Sequence, residues 1–135
     1  MWTYDVLLDR WNQTEYQPSG VYPVHRASYG AGTHIEDLGL GFYFGGWMSN
    51  QTSPDWSGAA IATSDLIRFE YDTAMLSNTS GPADNIGRAE GHMVYLPVSD
   101  SGLLAYFGGI EDPTQNGTVV PVSDDKRIWL VIDSY

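Results

Sequence analysis

The sequence predicts an all-β chain built from a repeated four-strand unit, and three observations carry that expectation. The run Leu103-Leu104-Ala105-Tyr106-Phe107-Gly108-Gly109 echoes Gly41-Phe42-Tyr43-Phe44-Gly45-Gly46. Both runs are apolar without alternation, too short and too aromatic for a buried helix, and read as strands covered on both faces. In Ser64 to Met75, the stretch that competes best as a helix, Ile67, Phe69 and Tyr71 alternate with Arg68, Glu70 and Asp72, which is the period of a strand. The flanks of the doubled run repeat as well: Arg26 and Arg88 stand 62 apart, Gly46 and Gly109 63 apart, and Asp72 and Asp133 61 apart.

Taken in order, Trp2 to Val6 alternates aromatic and polar residues, Leu7-Leu8-Asp9-Arg10 turns, and a strand around Trp11 completes a hairpin. Gln17-Pro18-Ser19-Gly20 is expected as loop. Ala27 to Ala31 is small and flanked by glycine, as suits an innermost strand, and the aromatic run follows it. Gly45-Gly46 then closes that second strand, where the backbone takes φ values other residues avoid or runs too near another chain for a Cβ. Trp47 to Gly58 is a long loop, Leu66 to Asp72 a third strand, and Ala74 to Ala89 a polar connection. His92 to Leu96 opens the next unit, Pro97 to Gly102 turns it back into the second aromatic run, and Ile110 to Arg127 is a loop before Ile128 to Asp133.

These elements resemble the kelch repeat, in which each unit is one four-stranded blade of a β-propeller. Arg26 and Arg88 match the start of the innermost strand, and Gly45-Gly46 and Gly108-Gly109 match the glycine doublet. Tyr4-Asp5, Tyr71-Asp72 and Ile132-Asp133 match the third-strand tyrosine and turn, and Trp11 matches the fourth-strand tryptophan, a position where Leu76 stands in the next copy. The resemblance implies a partial kelch-type propeller of roughly two blades. About 1–17 would supply outer strands of one blade, about 25–80 a complete blade, and about 88–135 the first three strands of another. Closure takes about four blades at least, so further blades of the same propeller or another copy of the chain are expected to complete it. A period near 62, against about 50 for kelch, implies long loops. In general character the chain is similar to kelch proteins of filamentous fungi, and galactose-oxidase-like enzymes share the propeller.

A net charge of −11 opposes binding to nucleic acid or to anionic membrane surfaces, where lysine and arginine supply the attraction. The chain has no cysteine, hence no disulfide framework and no thiolate metal site. Copper radical oxidases, which are built on a similar propeller, need a tyrosine cross-linked to cysteine, which this chain cannot make. Four Asn-x-Ser/Thr sequons at Asn12, Asn50, Asn78 and Asn116 favour a secreted or cell-surface protein, with a cytoplasmic one as the alternative.

Chemistry finds little foothold. His25, His34 and His92 lack the spacing of a zinc site, and no cofactor motif is present. Glu36-Asp37, Glu111-Asp112 and Asp124-Asp125 lie in expected loops, where a suitably separated pair could run glycoside hydrolysis. Arg26 and Arg88 would either meet an anionic ligand or pair with carboxylates or carbonyls of a neighbouring blade. The candidate ligand-binding loop is the one carrying Trp47, Asp55 and Trp56, because tryptophan is enriched where partners bind and its ring stacks on sugars. The expected function is a non-catalytic module recognising a protein or an extracellular glycan. The alternative is a glycosidase-like or oxidase-like propeller enzyme with most of its catalytic residues elsewhere.

Overall fold

The computed structural model describes residues 2–13, 17–19, 24, 27–79, 81–98, 100, 102–122 and 127–131. Arg26, His25, Asp124-Asp125 and Ile132-Asp133 lie outside them. In chain order the strands are β1 (Trp2–Asp5), β2 (Arg10–Gln13), β3 (Gln17–Ser19), β4 (Ala31–Ile35), β5 (Leu40–Phe44), β6 (Trp47–Met48), β7 (Ile61–Ala62) and β8 (Leu66–Glu70). They continue with β9 (Met75–Thr79), β10 (Gly87–Ala89), β11 (His92–Leu96), β12 (Leu103–Phe107), β13 (Ile110–Asp112), β14 (Val120–Pro121) and β15 (Arg127–Val131). The described residues are all β apart from turns and one 3₁₀ turn at Glu36–Leu38.

Strands β4, β5, β8 and β9 form an antiparallel meander, and β11, β12 and β15 repeat its first three members. The two aromatic runs therefore occupy the second strand of two different sheets. This is the architecture of part of a kelch-type propeller, and the sheets form no closed barrel among the described residues. Each sheet has apolar residues on both faces, so one sheet's face must be covered by another's.

The Tyr-Phe pair that precedes each glycine doublet explains how. Neighbouring residues of a strand point to opposite faces, so Phe44 of β5 faces forward while Tyr106 of β12 faces back. Their rings meet edge to face, 5.1 Å between centroids at 81°. Around them Ala31, Ile35, Leu40, Phe42 and Leu66 of one sheet close on Met93 and Leu104 of the other, all buried. Phe107, which stands where Phe44 does in the repeat, is 42% exposed.

Several expectations need correction. The innermost strand is Ala31–Ile35 rather than Ala27 to Ala31, because the main chain of Ser28 is taken by a bridge to Trp47. Gln17–Ser19 is not loop: it adds in parallel to the outer edge of β9, whose hydrogen-bonding groups would otherwise be unpaired, and makes that sheet five-stranded. In the hairpin, Tyr4 pairs with Trp11 as Phe69 pairs with Leu76. By that register Tyr4-Asp5 corresponds to Phe69-Glu70, whereas Tyr71-Asp72 lies in the following turn.

Candidate functional site

The first glycine doublet lies where the two repeats are joined. Gly45 (φ 68°) and Gly46 (φ 102°) lie in the region of φ that glycine tolerates best. A Cβ on Gly45 would stand 2.2 Å from the Arg88 carbonyl oxygen, and one on Gly109 2.2 Å from that of Ala89. The space goes to main-chain hydrogen bonds. Gly46 N–H donates to Arg88 O at 2.7 Å, Arg88 N–H to Thr63 O at 3.0 Å, and Thr63 N–H to Gly46 O at 2.9 Å. One peptide of the second repeat is thereby held between two of the first.

The Arg88 guanidinium is engaged within its own repeat through both terminal nitrogens, while its buried Nε has no hydrogen-bond partner among the described residues. It is 2% exposed and donates to Glu111 Oε1 at 3.0 Å, to Asp84 at 2.6 and 3.1 Å, and to Ile86 O. Its carboxylate and carbonyl partners therefore belong to its own repeat and not, as expected, to a neighbouring blade, which among these groups the Arg88 main chain alone reaches. Glu111, its register partner in β13, is 2% exposed, and Asp112 is fully buried. Asp112 accepts the N–H groups of Ala62, Asn116 and Gly117. Glu111-Asp112 is therefore strand rather than solvated loop, its carboxylates already satisfied by Arg88 and by amides. That removes it as a catalytic pair. Among the described residues no group of three His, Cys, Asp or Glu side chains is placed to hold a metal ion.

The start of each inner strand repeats a device that sequence reasoning missed. Tyr29 (φ 59°) and Glu90 (φ 64°) take left-handed backbone, which is uncommon outside glycine. The glycine after each donates its N–H to a tyrosine hydroxyl, Gly30 to Tyr43 at 2.8 Å and Gly91 to Tyr106 at 3.1 Å. Neither glycine has room for a Cβ beside that hydroxyl. Burial pushes the Tyr106 phenol up from its ordinary pKa, against an opposing effect of the Gly91 amide. The signal in the sequence was the Tyr-Gly and Glu-Gly pairs at matching places, masked by the change from Tyr to Glu.

In the tryptophan loop both rings are partly buried, rather than exposed, and both indole N–H groups are engaged. Trp47 donates to Glu90 Oε1 at 3.0 Å, and Trp56 to Ala59 O at 3.0 Å. Asp55 is exposed beside Trp56. The loop is braced by Ser49, whose carbonyl accepts from Thr52 and Ser53. Of the sequon asparagines, Asn50 and Asn116 are exposed in turns, while Asn12 and Asn78 are partly buried within β2 and β9. Trp11 is 65% exposed against Tyr4, and Tyr71 packs on Phe69 at 5.3 Å.

Between the two inner strands lies an open cleft of about 660 Å³. Its walls are equivalent positions of the two repeats, Tyr29 to Gly32 and Glu90 to Met93.

No protein-family model matches the chain. It is 32% identical, over 159 residues, to a Kelch repeat-containing protein of Arthroderma benhamiae; the match takes in 92% of this chain and 24% of that protein. The chain thus spans about a quarter of the length of the curated relative it resembles.

Proposed function

We propose that the chain forms consecutive blades of a kelch-repeat propeller that works as a non-catalytic binding module, taking a protein partner through its loops. The similarity to a Kelch repeat-containing protein over 92% of the chain supports the family. The observation that carries the binding role is the division of labour in each repeat. Buried charge and hydroxyl pins are consumed within each repeat and the main chain of Gly46, Thr63 and Arg88 in joining the two, whereas the segment from Ser49 to Ala60 and the side chains of Tyr29 and Glu90 remain at the surface. Surface loops on a rigid scaffold are where recognition residues gather.

An extracellular setting is part of the proposal, resting on the exposed sequons at Asn50 and Asn116. In that setting an extracellular polysaccharide is the second ligand class, with Trp56 and Asp55 as its contacts. Further blades, from the same propeller or another copy, would close the ring. Screening the full chain against arrayed peptides and arrayed glycans tests this reading. Trp47→Ala and Trp56→Ala should weaken whatever is captured by about tenfold, the scale of one interfacial anchor worth more than 1 kcal/mol. Unchanged affinity in both variants would refute the loop as the contact surface.

A further inference from the structure

The side chains at the starts of the inner strands stand apart from the fold that holds them. The main chain of both positions is fixed by other groups: Glu90 N–H donates to Tyr29 O at 2.9 Å, and the glycines that follow are pinned by Tyr43 and Tyr106. No side chain at position 29 or 90 is needed for any of these bonds. Glycine would take the left-handed backbone at least cost, yet one repeat has tyrosine there and the next glutamate. Tyr29 is 73% exposed, and Glu90 is exposed as well.

Both line the cleft, together with the exposed His92. The Glu90 carboxylate accepts one indole N–H, from Trp47, which fixes its direction while leaving acceptor positions open. Among the described residues, Arg88 is buried against Glu111 and Asp84 and does not line the cleft. Its mouth therefore combines a positioned carboxylate and an open aromatic ring, in a chain of net charge −11. That combination attracts a cation twice over, by ion pairing and by the ring face.

We propose that the cleft walled by Tyr29, Glu90 and His92 seats an arginine or lysine side chain of a partner polypeptide. The inference rests on the reading of the chain as a protein-binding module and names the chemistry of what it takes.

The test is capture from an array of peptides of known sequence by the full chain, repeated with Glu90→Gln and Tyr29→Ala. Captured peptides should be rich in arginine or lysine. Glu90→Gln should lower their affinity at least tenfold and Tyr29→Ala about threefold. Titration with Nα-acetyl-arginine methylamide should shift the Trp47 indole N–H resonance saturably in the parent chain, and not in Glu90→Gln; the norleucine analogue should shift neither. Capture of peptides with no preference for basic residues would overturn the cation site while leaving the binding module intact. Capture of no peptide would overturn both, and capture of glycans alone would replace the polypeptide by sugar. Thermal melts of both variants, with native midpoints expected, separate lost recognition from lost folding.

Discussion

Phe44 and Tyr106, placed at neighbouring rather than identical positions of the repeat, meet at 81° with 5.1 Å between ring centroids across the seam between two sheets. Each Tyr-Phe pair thus offers one ring to the blade before it and one to the blade after. Phe44 is fully buried, so Phe44→Ala should cost about 3–5 kcal/mol of unfolding free energy. In a double-mutant cycle with Tyr106→Leu, a coupling of about 0.5–1.5 kcal/mol is expected from the edge-to-face pair. Urea melts of the four chains measure both.

Arg88→Ala removes the guanidinium that stands 3.0 Å from the 2%-exposed Glu111 carboxylate. The expected loss is about 3–5 kcal/mol. Arg88→Met combined with Glu111→Leu should recover most of it, because a buried ion pair replaced whole costs far less than one that is broken. Chemical denaturation of the single and double variants decides this.

The glycines separate steric crowding from backbone preference. Gly108 (φ 74°) has nothing within 4 Å of an added Cβ, so Gly108→Ala should cost only the left-handed penalty, about 1 kcal/mol. At Gly45 and Gly109 the Cβ would collide with a carbonyl oxygen 2.2 Å away. Their alanine variants should lose several times as much, read as a larger drop in melting midpoint.

The raised Tyr106 pKa has an alkaline signature. Below the ordinary value of 10.0 the phenol is protonated in both the folded and unfolded chain, so it adds no pH dependence. Above it the unfolded chain releases the proton first, and stability falls as pH rises toward the folded value. Tyr106→Phe should start less stable by about 1 kcal/mol through the lost Gly91 bond. Its stability should then decline less steeply than that of the parent between neutral and alkaline pH.

Passage through a secretory pathway should glycosylate Asn50 and Asn116, which are exposed in turns, in preference to Asn12 and Asn78, which sit within strands. Intact-mass measurement before and after glycosidase treatment, with Asn50→Gln and Asn116→Gln, checks the sites.

The long strands were legible because Phe42, Phe44, Leu104 and Tyr106 lie in apolar runs that only a doubly covered strand explains. The short ones were not: β6, β7 and β14 have two residues each, too few to show any period, and exist because their main chain pairs across turns and seams. Arginine at the repeat position was readable as structural, but its partner Glu111 is 23 residues away and no local pattern announces it. Tyr29 and Glu90 escaped notice because the repeat conserves their backbone conformation and not their chemistry. The tryptophan segment reads as an exposed loop in the sequence, whereas Trp47 lies in β6 and both rings are partly buried; the bond from Trp47 to Glu90 depends on a contact between blades that sequence spacing does not encode.

The triangle of main-chain bonds among Gly46, Thr63 and Arg88 also sets where this chain can be divided. A break between the two units, anywhere from Gly81 to Gly87, would leave the earlier one with an amide at Gly46 and a carbonyl at Thr63 that only Arg88 satisfies. Neither half is a self-sufficient building block, so mixing blades from different sources would succeed only if the segment through Arg88 travels with the blade that precedes it.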